Sequence, residues 1–225
     1  MDRAGLPGAG DDTRHLMKET IMRYPDRLSI VVPMFTVVND AADTRSFSQR
    51  LVFLRAFAIL HAVRGGDAQV TFCGKVEVDP TGEHSIDLMA KLGNELEANT
   101  TLAGWRLDHM IGSLVRLPRD SEREAEGKTP LMRLKLALGS EPVEVAWFDD
   151  QGGMPTLRQV SARHTLPADW NEGMSANPAL IRRRLSARAC TIWAAIADRL
   201  LTIGDERRKA FASFDHFQSQ GGAMI

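Results

Sequence analysis

Guanidinium groups are the densest chemical resource in this chain. Arg182, Arg183, Arg184 and Arg188 fall close together in the C-terminal third, and Arg207, Arg208 and Lys209 follow. Such groups pair with phosphates, and binding of that kind weakens as salt rises because counterions are released. The competing reading is a solvated helix face with partners at the helix-dipole end. Aromatic interleaving that would stack bases is missing, and Tyr24 is the only tyrosine. The six histidines, at 15, 61, 84, 109, 164 and 216, make no H-x-x-x-H or H-E-x-x-H pair, which argues against zinc chemistry. His109 adjoins Asp108, but neighbours on a helix point to different faces, so it reads as a surface histidine. Cys73 and Cys190 have neither paired spacing nor a His/Asp relay. They read as free, buried thiols in a reducing compartment. Gly65-Gly66 and Gly152-Gly153 lack the context of a phosphate loop.

The elements that position these groups fit one domain, since 225 residues would leave two domains cramped. Hydrophobic content of 44% with 25% charge is ordinary for a globular chain. A net charge of −1 and a pI of about 6.6 give no whole-molecule field toward nucleic acid or membrane, although a local basic patch remains compatible. No apolar run approaches the roughly 20 residues of a membrane span, so a soluble cytoplasmic protein is expected, with no membrane partner. The expected partition is a flexible leader over 1–24, an α/β domain over 25–204, and a C-terminal tail over 205–225, frayed from 212.

Residues 28–38 (LSIVVPMFTVV) read as a central strand, with Pro33 as an irregularity because it cannot donate to a ladder. Residues 50–63 are ambiguous between strand and helix. Residues 68–78 read as a strand after the Gly65-Gly66 turn, and 85–98 as a helix with Ile86, Met89, Leu92 and Leu96 on one face. A short strand at 101–105, a helix from Leu107 and a strand at 143–148 follow, with a charged surface loop at 118–129 between the last two. Thr156 and Gln159 form a capping box that opens a short helix. The longest helix is expected over 180–203, burying Ile181, Leu185, Ile192, Ile196, Leu200 and Ile203, with Gly204 as its stop. Strands interleaved with helices indicate an α/β layered fold with a mixed sheet.

Three stretches carry a family pattern in order. The leading strand carries PMFT at 33–36. Residues 85–117 read SIDLMAKLGNELEANTTLAGWRLDHMIGSLVRL, and TLRQVSARHTLP at 156–167 precedes LSARACTIWAAIADRLL at 185–201. Together these resemble the DEDD superfamily of 3′–5′ exonucleases, in the branch related to the proofreading domain of family B DNA polymerases. The resemblance covers about residues 28–203 and implies a ribonuclease-H-like three-layer fold with a mixed central sheet.

That family clamps its substrate between two divalent metals, which need several converging carboxylates. The resemblance places the ligand positions at Pro33, Phe35, Asp108 and Ala187, with Cys190 or Thr191 in a shifted register. Of these only Asp108 is an acid, and the water-orienting His or Tyr falls near Arg183. Asp108 is therefore the single candidate catalytic and metal-binding residue, and its alternative role is a capping or surface aspartate. The reading that follows is an exonuclease-like domain without activity, binding single-stranded nucleic acid or serving a protein partner as an accessory factor. Its rivals are an active exonuclease using Mg²⁺ or Mn²⁺ on displaced carboxylates (Asp40, Asp43, Asp149 or Asp150), and a protein–protein scaffold.

Overall fold

The computed structural model describes residues 23–37, 52–79, 84–96, 99–107, 143–144, 156–168, 177–201 and 204–220. β1 (Arg27–Val37), β2 (Val52–Arg64) and β3 (Val70–Val78) come first, then α1 (Ser85–Glu95) and β4 (Thr101–Gly104). β5 (Val143–Glu144), α2 (Leu157–Arg163), α3 (Pro178–Leu200) and α4 (Asp205–Ser219) complete the described elements. The sheet order is β3-β2-β1-β4-β5. β2 is antiparallel to β1 and β3, while β1–β4 and β4–β5 are parallel, so β2 alone runs backwards. The chain thus builds outward from β1 to β3, then crosses through α1 to the other side of β1.

The ambiguous segment 50–63 is a strand from Val52, because it is bonded on both sides, to β1 and to β3. β3 starts at Val70 and not at 68, since Ala68 sits in the turn with φ 66° and donates to the Gly65 carbonyl. A register shift between Met34 and Phe35 leaves Arg55 as the extra residue of β2, and its carbonyl accepts from the Asp79 amide at 2.8 Å. This bulge moves Leu54 and Ala56 to opposite faces of the sheet.

The two faces carry two cores. On one, Val31, Leu54, Phe57 and Ile59 pack with Leu88, Leu92 and Leu96 of the α1 segment and with Leu102 and Leu107. The expected stripe on α1 is off by part of a turn: Leu88 is buried, Met89 only partly, and Ile86 is 38% exposed. On the other face, α3 lies against β1, β2 and β3. Alanines at 56, 58 and 62 on the sheet and at 189, 194 and 197 on α3 are all fully buried. Small side chains on both partners bring helix and sheet close, at the density native cores require. α3 opens on Asn177, whose side chain accepts from the amides of Ala179 and Leu180, with Pro178 in the first turn. The Thr156–Gln159 capping box on α2 is formed as expected.

The segment 205–225, expected as a tail, is corrected through Ser219: α4 is helical and packs on the sheet. Ala210 and Phe214 are buried, with Phe211 and Phe217 partly so, a spacing that presents one apolar face. The long helix ends at Leu200, short of the expected stop at Gly204. Gly204 instead caps the start of α4 with φ 153°, a backbone that other residues rarely adopt. An ion cluster locks the same corner. Asp198 on α3 is nearly buried, and its carboxylate accepts from Arg163 at 3.0 Å and Arg207 at 2.5 Å, with His164 Nε2 at 3.0 Å. Substituting Asp198→Asn removes the charge that joins α2, α3 and α4, so unfolding free energy falls by about 2 kcal/mol, discounted for the half-exposed arginines. Urea unfolding measures it, and an unchanged midpoint would mean the cluster is decorative.

Tyr24 sits beneath α3, where the indole Nε1 of Trp193 donates to its hydroxyl at 2.8 Å. Burial pushes the phenol from its ordinary 10.0 up to about 12, with the Trp193 hydrogen bond opposing. The group is neutral when folded, so its contribution is intact below pH 10 and is lost as pH rises toward 12. The buried Cys190 thiol, pushed up to about 11, adds to the same alkaline loss. Because Tyr24 is the only tyrosine, near-ultraviolet tyrosinate absorbance titrates it alone. Ionisation is expected to lag free tyrosine and to coincide with alkaline unfolding; a midpoint at the ordinary value would show the phenol is not sealed.

Among the described residues, no helix is long and apolar enough to cross a membrane.

Candidate functional site

β1 and β4 pair over only three positions, Leu28–Thr101, Ser29–Leu102 and Ile30–Ala103. Beyond them the two parallel strands part. β4 ends at Gly104, and Arg106 takes a left-handed φ of 54°. Pro33 falls past the last paired position, where its missing N–H costs the β1–β4 ladder nothing. The gap is a cavity of about 250 Å³ lined by Val31, Val32, Pro33 and Phe35 of β1, Trp105 and Arg106 after β4, and Arg188 and Ile192 of α3. It opens at the carboxyl ends of β1 and β4, where the strand order reverses, and such crevices are the usual ligand sites of open α/β sheets.

Arg188 is half-buried in this cavity and its Nε is wholly buried. Burial pulls its guanidinium below the ordinary value for arginine. A guanidinium stays charged in spite of that shift.

The predicted basic cluster is divided by the helix. Arg182 donates to the Val76 carbonyl at 2.7 Å, on β3. Arg183 is exposed, and Arg184 is half-buried with its Nε covered. Arg184 and Arg188, four residues apart, share a face. Of the four, only Arg188 lines the cavity, and its neighbour there is Arg106, which the sequence did not single out. The available signal was Arg106's place directly after the short strand expected over 101–105. Ala187 is buried one residue before Arg188, and Cys190 and Thr191 are buried too. Asp108 lies outside the described residues, as do His109, Asp40, Asp43, Asp149 and Asp150.

The described cavity residues carry no carboxylate and two guanidinium groups. Hard divalent cations take oxygen ligands, so these residues do not fit a magnesium or manganese pair. No other group of metal-ligating side chains gathers among the described residues.

A serine–histidine contact also exists. Ser29 Oγ lies 2.8 Å from His61 Nδ1 and 2.8 Å from Thr100 Oγ1. Ser29 is fully buried on β1, so no substrate carbonyl can reach it, and the network ties β1, β2 and the approach to β4. Cys190 is buried, and Gln218 Nε2 donates to its sulfur at 3.0 Å. Cys73, expected to be buried, is exposed, because its strand lies at the edge of the described sheet.

Comparison with family models, curated proteins and solved structures finds no match to this chain.

Proposed function

We propose that this chain is a nuclease-like domain that binds single-stranded nucleic acid through the β1–β4–α3 cleft and has no metal-dependent cleavage of its own. One observation carries the reading. Pro33 and Phe35, placed by the resemblance at metal-ligand positions, line one cavity, and Arg188 enters it one residue after Ala187, the position for a third. The strand order β3-β2-β1-β4-β5 with β2 alone reversed, and helices on both faces, supports a ribonuclease-H-like fold. At the cavity, charge that the family draws from metals is supplied by arginine.

The test is a gel shift of end-labelled single-stranded DNA over a salt series. Two phosphate contacts, from Arg106 and Arg188, give a slope of about −1.4 in log affinity against log salt, or roughly sevenfold weaker binding for a fourfold salt increase. A strand left unshifted at low salt removes the nucleic-acid reading and turns the search to a protein partner.

A further inference from the structure

We infer that the outer edge of β3 pairs antiparallel with β3 of a second copy of this chain, about a two-fold axis at Val76. The dimer is independent of the nucleic-acid reading, because β3 lies two strands from β1 and the β1–β4 cavity stays open.

The Gln69 carbonyl accepts from the Gly65 amide, and the Asp79 amide donates to the Arg55 carbonyl. Odd-numbered residues of β3 therefore turn their backbone groups toward β2, and even-numbered ones face outward. Ser213 Oγ holds the outward Val70 amide at 3.3 Å, and Arg182 donates to the outward Val76 carbonyl at 2.7 Å. Among the described residues, nothing pairs with the outward groups of Gly74 and Val78 or with the Val76 amide. A carbonyl has two lone pairs, so that of Val76 can accept the copy's amide beside Arg182. Reciprocal bonds then join Val76 to the copy's Val76, and Gly74 to Val78 in both directions.

Charge selects this register. Lys75 and Glu77 lie on the α1 face, where Lys75 meets Glu95 at 2.6 Å and Lys91 meets Glu77 at 2.9 Å. An axis at Val76 sets Lys75 opposite the copy's Glu77, and Glu77 opposite its Lys75, in the closest kind of antiparallel pair. Charges of opposite sign then follow one another across the seam, from Glu95 and Lys75 to the copy's Glu77 and Lys91. An axis at Gly74 would set Lys75 against Cys73, and one at Val78 would set Glu77 against Asp79, a repulsive pair. An axis at Phe72 would compete with Ser213 for the Val70 amide. Gly74 sits within β3 where the register is unbroken, and a glycine so placed marks the close approach of another backbone. Its lack of a side chain suits it to the copy's Val78 opposite, which is only partly buried within one chain.

Sedimentation equilibrium of the full chain, in a series rising to about 0.5 mM, spans the range where small interfaces associate. The mass is expected to climb from 24.9 kDa toward twice that value. A mass fixed at 24.9 kDa throughout overturns the inference and leaves the edge to a strand of another protein. Spin labels on the exposed Cys73 read the register, since Cys190 is buried. With the axis at Val76, Cys73 falls opposite Asp79, so the two labelled positions stand roughly 20 Å apart along the backbone. A dimer whose labels report a separation far from that pairs through another surface, which also overturns the inference. Lys75→Glu and Glu77→Lys should each weaken the dimer by about tenfold or more, by setting like charges opposite one another. An equimolar mixture of the two should restore it, because each variant carries the charge the other lacks. Single variants that dimerise like wild type sink the proposed register, as does a mixture of normally folded variants that stays monomeric.

Discussion

Replacing Trp193 with alanine lowers the unfolding free energy by about 3–5 kcal/mol, read as a drop in the urea midpoint and loss of near-ultraviolet dichroism. Trp193 is fully buried at the middle of α3. Its ring meets Phe72 edge-on at 4.9 Å, stacks on Phe214 at 4.3 Å and touches Phe211 at 5.2 Å. Those partners come from β3 and α4, so one side chain holds three elements together. Alanine there removes the transfer energy of an indole and leaves a cavity that a strand and two helices cannot all collapse to fill. It also strips the Tyr24 hydroxyl of its donor in a buried setting. A domain of this size has only about 5–15 kcal/mol in hand, so the variant lies near the edge of folding. Trp193→Phe keeps most of the ring and should lose about 1–2 kcal/mol, mainly the hydrogen bond and part of the packing. A loss below about 1 kcal/mol for the alanine variant would mean that α4 docks by other contacts.

The importance of Trp193 was only partly visible in the chain. Helical periodicity marked Ile181, Leu185, Ile192 and Ile196, which are buried, Leu200, which is partly buried, and Ile203, which lies outside the described residues. Periodicity assumes one buried face, yet α3 is covered by the sheet, by α2 and by α4, so residues 189–197 are buried all the way round. The α4 error has the same origin. Its Gln- and Gly-rich end suggested fraying, but a helix needs only a narrow apolar face, and Ala210, Phe214 and Phe217 supply it once β3 is there to receive them. Segment 50–63 was ambiguous because a strand buried on both faces shows no alternation, and only its two neighbours decide it. Local signals, in contrast, were read directly. The Thr156–Gln159 capping box depends on adjacent residues alone, and the leading strand, expected over 28–38, runs over Arg27–Val37.

The site divides in the same way. The resemblance put Pro33 and Phe35 at special positions, and both line the cavity. Arg188 was noticed as charge, but spacing along α3 says which residues share a face and not what lies opposite. Arg106 was missed because its role depends on a positive φ after β4, which no side-chain pattern announces. Asp108, the candidate ligand, is outside the described residues, so the role of that carboxylate passes to experiment.

End-labelled single-stranded DNA incubated with the protein and Mn²⁺ at low salt is expected to stay full length, and Asp108→Ala to leave that outcome unchanged. Two-metal cleavage needs carboxylates enough to hold two dications a few ångströms apart. The positions that resemblance assigns to them include a proline, a phenylalanine and an alanine, with Asp108 the one acid. Arg188 makes the deficit worse. It places a guanidinium among the described lining residues of the cavity, where a dication needs oxygen ligands. Enzymes of this kind owe at least about 10⁶-fold of rate to their sites, so losing the metal pair takes cleavage to background and does not merely slow it. Shortening from the 3′ end that requires both Mn²⁺ and Asp108 would make the chain an enzyme. The missing ligands would then have to come from acids such as Asp40, Asp43, Asp149 or Asp150, and Arg188 would have to turn out of the cleft to admit the metal. A charge-neutral Arg188→Gln variant separates the two cases: it speeds a working metal site by removing the repulsion, and leaves a metal-free one without cleavage while weakening its hold on phosphate.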